Sequence, residues 1–255
     1  MISIYFFTAI IATTLGSLAG LGGGVIIKPV LDTLNHFDLS SVSILSSCTV
    51  FAMALISTFR QMKNGFQVQK QMIVLSIGSI LGGVLGKHFF DLFLKLFIDE
   101  QIGKGIQALI LSVLLIITLL KNKLPKHKIS NSYFIFFLGL FLGGIASFLG
   151  IGGGPINVAI LVIFMSLPTK VAAINSVFII LLSQFSKLSL LIIESKIQTV
   201  DIKILLFMVI GGIGGGILGA KLNKILSEEI IEKIFSISVL GIIVLNILNA
   251  IKAFT

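Results

Sequence analysis

Two glycine clusters are the residues of this sequence whose type and spacing could bind a ligand. The first cluster lies at residues 20–24 and the second at residues 150–154, and four glycines of each match at a constant offset of 130. Glycine breaks helices readily and lets a ligand approach the backbone closely. Each cluster lies inside a long apolar stretch, where a broken backbone is tolerated only if protein buries it or it lines a wet cavity. Two matched breaks indicate a transport site, whereas the alternative is close helix packing through small residues.

A helix that begins at such a break offers a binding site for an anion. Its first amide groups lack intrahelical acceptors and carry a partial positive charge. We therefore predict short helices at residues 25–34 and 155–167, with their N-termini directed at the bilayer midplane. Pro155 supports the second helix because proline suits a first helical turn. The glycines expected to contact the anion are Gly22, Gly23, Gly24, Gly152, Gly153 and Gly154.

Polar side chains beside the breaks are the other candidate binding residues. Lys28 lies one turn into the first short helix, and a lysine is costly in lipid unless it faces a cavity, an anion or a carboxylate. Its alternatives are snorkelling to the headgroups and an ion pair with Asp32. The uncharged candidates could instead bond to a neighbouring helix. They are Ser46, Ser47, Asn157, Asn175 and Ser176.

Composition indicates a multi-pass integral protein of the cell membrane. The chain is 56% hydrophobic and 11% charged, whereas soluble domains carry about 25% charged residues. The net charge of +9 comes mostly from basic residues between apolar spans, which favours contact with lipid headgroups over nucleic acid. One cysteine and three scattered histidines give no pattern for an internal disulfide or a metal site, so we predict no cofactor and no metal.

Eight windows without charged residues predict an all-α polytopic fold. We expect two homologous four-helix halves, each with a glycine-broken first helix followed by a short half-helix. Residues 1–120 form the N-terminal repeat, residues 121–130 a basic cytoplasmic linker, and residues 131–255 the C-terminal repeat. Each break is needed because a straight helix of about 34 residues would be about 50 Å long, against a hydrocarbon core of about 30 Å. Glycines spaced four apart predict close helix packing at Gly78, Gly82, Gly86, Gly211, Gly215 and Gly219.

The distribution of Lys and Arg leaves two membrane topologies open. Eight spans with re-entrant short helices would place eleven of the nineteen basic residues in the cytoplasm, Lys187 among them. Ten crossings with inverted halves also give eleven. The shortness of residues 25–34 and the presence of Lys28 favour eight spans. Both topologies place the linker in the cytoplasm.

The doubled glycine motif resembles the signature of the TauE/SafE, or sulfite exporter, family. The matching segments are residues 20–29, GLGGGVIIKP, and residues 150–157, GIGGGPIN. The pairs Ser46-Ser47 and Asn175-Ser176 resemble the small polar pair that follows in that family. One departure is Pro29, because the second copy has Ala159 there and carries its proline earlier, at Pro155. The resemblance implies a duplicated membrane fold and transport of small anions such as sulfite, thiosulfate, sulfonates including sulfoacetate, or small organic acids.

These observations predict a secondary transporter with a small anionic substrate, embedded in the lipid bilayer. They leave open whether it is a monomer or a homo-oligomer. A primary pump is disfavoured because the clusters lack the Gly-Lys-Ser/Thr ending of a phosphate-binding loop. Enzymatic activity is not expected, since no Gly-x-Ser-x-Gly or His-Glu-x-x-His pattern occurs. The alternative is a non-transport membrane scaffold or assembly subunit, in which matched helix breaks would serve no purpose.

Overall fold

The described residues of the computed structural model form an all-helical protein. They are residues 2–96, 100–193 and 200–254. The helices of the first half are α1 (Ile2–Ala19), α2 (Gly24–Leu34), α3 (Leu39–Lys63), α4 (Lys70–Leu96) and α5 (Glu100–Leu119). Those of the second half are α6 (Ser132–Leu149), α7 (Gly154–Met165), α8 (Thr169–Ile193), α9 (Ile202–Ile225) and α10 (Glu228–Phe254). The predicted all-α fold is confirmed.

The helix boundaries of the first part of each half correspond at the offset of the glycine clusters. Both ends of α1 match those of α6 after a shift of 130 residues, and both ends of α3 match those of α8. The short helices α2 and α7 begin at equivalent glycines. This correspondence is what two repeats would produce. The division at a cytoplasmic linker of residues 121–130 stays a prediction.

The backbone breaks at both glycine clusters, as the sequence predicts. Gly20, Gly22 and Gly23 have φ angles of 74°, 78° and 62°. Gly150, Gly152 and Gly153 have φ angles of 68°, 79° and 75°. A residue with a Cβ atom would lose about 1–2 kcal/mol in this left-handed region. The clusters therefore end α1 and α6 and allow a new helix to start in another direction.

Each break turns the chain back toward the side from which it came. The Tyr5 hydroxyl, near the start of α1, lies 2.7 Å from Nδ1 of His36, just after α2. In the second half, the His127 amide, just before α6, donates to the carbonyl of Ile163 near the end of α7 at 2.7 Å. The pairs α1–α2 and α6–α7 are consequently helical hairpins.

The long helices show that the two halves have opposite orientations. The hydroxyl of Ser17, late in α1, lies 2.7 Å from that of Ser57, late in α3, so α1 and α3 are parallel. Lys187, late in α8, donates to Ser43, early in α3, at 2.7 Å, so α3 and the equivalent α8 are antiparallel. This geometry is that of inverted halves.

The preference for eight spans is therefore wrong, since that topology makes α1 and α3 antiparallel. Its main reason was the shortness of the segment that becomes α2. The chain compensates for that length because the first break folds back along α1, where the Gly22 amide donates to the Gly16 carbonyl at 3.2 Å. A helix of 11 residues is then enough to return to the level of Tyr5.

The exterior of the bundle suits a bilayer. Among the described residues, seven helices are long and apolar enough to cross a membrane, and α1 and α7 are shorter apolar helices. Large apolar side chains such as Leu81, Phe137 and Ile210 are about half exposed. Exposed apolar surface of this extent is stable against lipid chains rather than water.

The helices α4 and α1 each pack along a helix of the opposite half, α6 and α9 respectively. A methyl carbon added at Gly82 would lie 1.9 Å from the Leu140 carbonyl oxygen. One added at Gly215 would lie 2.6 Å from the Ile10 carbonyl oxygen. The prediction that the spaced glycines serve close packing is confirmed, and these two seams join the halves.

The start of the linker is anchored to α10. Lys121 is buried, and its Nζ lies 3.3 Å from the Glu232 carboxylate and 4.1 Å from the centre of the Phe235 ring. Burial lowers the pKa of Lys121, and the negative charge of Glu232 opposes that shift. The ion pair and the cation–π contact fix the end of the first half against the second.

Candidate functional site

The two glycine breaks lie against each other in the interior, between the halves. A methyl carbon added at Gly24 would lie 2.5 Å from the Ile151 carbonyl oxygen, and one added at Gly154 would lie 2.0 Å from that of Leu21. These two contacts are equivalent at the offset of 130. Only glycine permits such an approach of backbone to backbone. The structure thus brings the predicted glycines of both halves together.

The flanking helices α8 and α3 also meet the breaks at equivalent positions, but with different residues. Gly20 faces Ala173 of α8, whose Cα would lie 2.5 Å from an added methyl carbon. Gly150 faces Ser43 of α3, whose Oγ would lie at 3.0 Å. The framework is therefore nearly two-fold symmetric, while the polar side chains around it are not.

Two backbone amides are paired at the first break and unpaired at the equivalent positions of the second. In the first break, the Gly22 amide donates to Gly16 and the Gly24 amide to Gly22, at 3.2 and 2.5 Å. The equivalent amides, those of Gly152 and Gly154, have no acceptor within the described part of the chain. Unpaired amides at the start of a helix favour an anion.

A single residue difference accompanies this change in pairing, because the Gly16 carbonyl accepts from Gly22 whereas the equivalent Ala146 carbonyl accepts from Ile151 at 3.2 Å. A methyl carbon at Gly16 would lie 2.2 Å from the Gly23 nitrogen, so glycine lets the first break dock on α1. The equivalent residue in α6 is Ala146, whose Cβ would lie 2.8 Å from a methyl carbon added at Gly153. A methyl group therefore lies beside the second break, where the first break has only the hydrogen of Gly16.

Lys28 is buried beside the second break. Its side chain is 5% exposed, so it does not snorkel to the headgroups, and its Nζ lies 4.0 Å from the Asp32 carboxylate. Lys28 also donates to the Gln107 side-chain oxygen, and the Gln107 amide group donates to the Phe148 carbonyl at 3.0 Å. Gln107 thereby connects Lys28 to the end of α6, just before the break.

Lys187 is a second buried lysine at the same break. It is 3% exposed, and it donates to Ser43. Within the described residues, no carboxylate lies within the 4.0 Å that defines an ion pair with Lys187. A methyl carbon added at Gly150 would lie 3.0 Å from Ser43 Oγ and 3.9 Å from Lys28 Cδ. Lys28 therefore approaches Gly150, and Lys187 is connected to it through Ser43.

The sequence analysis missed Lys187 and counted it as a cytoplasmic residue. Lys187 could have been found from the sequence because residues 171–193 contain no other charged residue. Such a segment is typical of the interior of a membrane span. Gln107 and Ser43 carried no signal, because sequence does not show which way a polar residue of an apolar helix faces. The Lys28 position was predicted correctly as interior.

A small polar cavity adjoins Lys187 and leads toward the ends of α4 and α3. Its volume is about 10 Å³, and it is lined by Ser43, Lys187, Lys87 and Asp91, among others. That volume holds about one water molecule. Lys87 and Asp91 form an ion pair at 2.8 Å. An ion pair and a further lysine therefore line the same small cavity.

The uncharged predicted residues fall into two groups. The Ser176 hydroxyl donates to the Gly20 carbonyl at 2.7 Å and lies 3.2 Å from that of Gly154, so it joins the two breaks. The others have a buried side-chain oxygen without a partner among the described residues. They are Ser46, Ser47, Asn157 and Asn175, and Gln184 shares this property. Unpaired buried polar groups are unfavourable and are often satisfied by a ligand or water.

No metal site accompanies these residues. Within the described ranges, no group of three or more His, Cys, Asp or Glu residues could hold a metal ion. The groups around the breaks are instead ammonium, amide and hydroxyl donors. Such a donor set suits an oxyanion.

Comparison with known proteins identifies the family. The family model described as Sulfite exporter TauE/SafE matches residues 5–246. The chain belongs to the TauE/SafE family. Among curated proteins, this TauE/SafE chain is similar to the "Probable membrane transporter protein YunE" of Bacillus subtilis (strain 168). The two are 29% identical over an alignment that covers 89% of this chain and 90% of the relative. No solved structure gives a significant match.

Membership in the TauE/SafE family and the helical architecture define the class of protein. It is a multi-pass membrane transporter of the cell membrane. The resemblance stated from the doubled glycine motif is confirmed, and it extends over nearly the whole chain.

Proposed function

We propose that this TauE/SafE transporter moves small anions by secondary transport and binds them at the second glycine break. The observation that supports this most directly is that two buried lysines lie at this break, Lys28 beside Gly150 and Lys187 in contact with Ser43, which faces Gly150. The free amides of Gly152 and Gly154 lie in the same break. Ammonium groups and unpaired amides together form a donor set for one anion.

Charge balance supports an anionic rather than a neutral substrate. Near the second break, Lys28 and Lys187 face the interior with Asp32 as the nearest carboxylate of Lys28. A buried charge without full compensation is strongly unfavourable. An anion between the lysines supplies the missing negative charge. Sulfite, thiosulfate and sulfoacetate carry several acceptor oxygens and fit the donors.

The contacts of Lys28 also allow release. In the structure its Nζ is held by Gln107, so the ammonium group has a neutral partner when the anion leaves. Lys187 has Ser43 in the same role. A transporter must bind its substrate weakly enough to release it, and neutral dipoles meet that need better than permanent ion pairs.

We include the uncharged candidates of both halves in the proposed site. Asn157 and Asn175 would complete the shell around the anion from α7 and α8, and Ser46 and Ser47 from α3. The support is the unpaired oxygen of each side chain. Ser176 acts through the glycines it joins.

Orientation follows from the inverted topology. The basic residues at the end of the bundle that carries the linker are Arg60, Lys63, Lys70, Lys121, Lys123, Lys126, Lys128, Lys170, Lys221, Lys224 and Lys233. This majority of the Lys and Arg residues supports a cytoplasmic location for that end. The cavity beside Lys187 then lies toward the outer side.

Transport in proteoliposomes tests the function. Purified protein is reconstituted, and uptake and efflux of sulfite, thiosulfate, sulfoacetate and small carboxylates are measured with and without gradients of pH and potential. We expect movement of at least one oxyanion well above that of empty liposomes. Correctly folded protein that moves none of these anions under any gradient contradicts the proposal.

Binding to Lys28 variants tests the site. Lys28→Met should weaken anion binding in calorimetry by about tenfold or more, because a hydrogen bond to a charged group contributes about 1.5–3 kcal/mol. Lys28→Arg should retain part of the affinity. The control is Lys252→Met, an exposed lysine at the end of α10. Equal affinities of both Lys28 variants and the wild type would remove Lys28 from the site.

A further inference from the structure

A basic cavity at the linker end of the bundle is separate from the glycine breaks. It lies between the ends of α3 and α9 and has a volume of about 590 Å³. Its lining includes four basic side chains, Arg60, Lys63, Lys221 and Lys224, and no acidic residue. Like charges that line one cavity repel each other, and an anion bound in the cavity would offset that repulsion.

The basic side chains have weak partners only. Lys224 Nζ donates to the Asn64 side-chain oxygen at 3.1 Å. Lys63 Nζ lies 4.5 Å from the centre of the Phe59 ring. In the described part of the chain, no carboxylate forms an ion pair with any of the four. Their positive charge is available to a ligand.

The cavity also has an apolar side that faces the bilayer. Phe59 and Ile225 line it and are 53% and 66% exposed. Both lie at the ends of membrane helices, where acyl chains meet headgroups. A ligand that fits must therefore combine an anionic group with an apolar part.

The opposite end of the bundle lacks this arrangement. The residues of α8 equivalent to Arg60 and Lys63 are Leu190 and Ile193. The basic cavity is thus found on one side of the membrane only. It is not a feature that the two repeats share. Anionic lipids attract basic segments on the cytoplasmic side, which is the side proposed above for this end.

We propose that this cavity binds the phosphate headgroup of an anionic phospholipid, with the acyl chains against Phe59 and Ile225. The four basic side chains surround the phosphate, and the aromatic and aliphatic side chains contact the first methylene groups. The site is independent of substrate binding at the breaks.

Lipid titration of the purified protein tests this inference. Native mass spectrometry and thermal unfolding in a neutral detergent are followed with phosphatidylglycerol, with phosphatidylcholine, and with soluble glycerol phosphate. We expect phosphatidylglycerol to be retained and to raise the unfolding temperature. Phosphatidylcholine should do neither, and glycerol phosphate should bind at least tenfold more weakly because it lacks acyl chains.

Two double variants distinguish the cavity from general attraction. Lys221→Gln with Lys224→Gln should lower the affinity for phosphatidylglycerol about tenfold, since each basic residue near a surface contributes to lipid binding. Lys126→Gln with Lys128→Gln makes the same charge change in the exposed linker and should leave it unchanged. If the first pair does not fold, Arg60→Gln with Lys63→Gln serves the same purpose.

Three results would overturn the inference. One is an equal loss from the cavity and linker variants, which would show bulk attraction. Another is glycerol phosphate binding as tightly as the lipid, which would show a site for a soluble phosphate ester. The third is no retention of phosphatidylglycerol by the folded wild type, which would leave the cavity to a water-soluble partner.

Discussion

The two glycine breaks share a backbone and differ in what surrounds it. Both have three left-handed glycines and begin a short helix. In the first break, the amides of Gly22 and Gly24 donate to the carbonyls of Gly16 and Gly22. The second leaves its amides of Gly152 and Gly154 unpaired.

The two breaks also differ in the charged residues near them. Lys28 and Lys187 both approach the second break, while the equivalent positions near the first break hold Val158 and Ser57. Val158 fills its place as a packing residue, with Cγ2 only 2.8 Å from a methyl carbon added at Gly20. The difference shows that the repeated backbone supplies the framework, and that a few unmatched side chains concentrate polarity on one side of it.

The largest expected effect tests the symmetric part of this comparison. Gly24→Ala and Gly154→Ala should each lower the free energy of unfolding by about 3 kcal/mol or more, because the added carbon meets a carbonyl oxygen that cannot move freely. Denaturation in detergent measures both. Gly241→Ala is the control, since nothing lies within 4 Å of its added carbon. Losses that differ greatly between the two breaks would show that their packing is not equivalent.

The next effect tests the asymmetric part. Lys187→Met should weaken binding of a sulfur oxyanion by about tenfold or more, since it removes a charged donor. Ser57→Ala, at the equivalent position of α3, should change stability instead, through the lost contact with Ser17. Calorimetry on both variants and on Lys203→Met, an exposed control, gives the comparison. Loss of affinity in Ser57→Ala but not in Lys187→Met would place the anion at the first break.

The smallest effect concerns two matched serines. Ser176→Ala should lower stability by about 1 kcal/mol, because the carbonyl of Gly20 loses its donor. Ser46→Ala should leave stability almost unchanged, since its hydroxyl has no partner among the described residues. Thermal unfolding separates them. Equal destabilisation would mean that Ser46 has an equivalent structural bond.

The repeated framework could be predicted from the sequence because glycine permits helix breaks and close helix packing that other residues do not. The offset of 130 between the clusters predicted the positions of both breaks. The four-residue spacing of the glycines around Gly82 and around Gly215 predicted the packing seams. The directions of the helices were not predictable, because both topologies place the same number of basic residues in the cytoplasm. The contact of Tyr5 with His36 decided that question in the structure.

The candidate site was predictable only in part. Lys28 was recognised since it adjoins a break in the sequence itself. Lys187 and Ser43 adjoin Gly150 through the antiparallel packing of α3 and α8, and no spacing in the sequence encodes that contact. The binding roles of the remaining predicted residues stay predictions, to be decided by the measurements above.

The seam between α1 and α9 has a consequence for how the protein is made. Ser17 donates to the Gly216 carbonyl at 3.1 Å, and Thr13 donates to that of Gly211 at 3.3 Å, although nearly two hundred residues separate the partners. During synthesis, α1 enters the membrane long before α9 exists, so its groove must remain incomplete until translation is almost over. Closure over such a distance is entropically costly and slow. A chain truncated after α8 would therefore lack the last two helices of the second half and would also leave the first half unfinished.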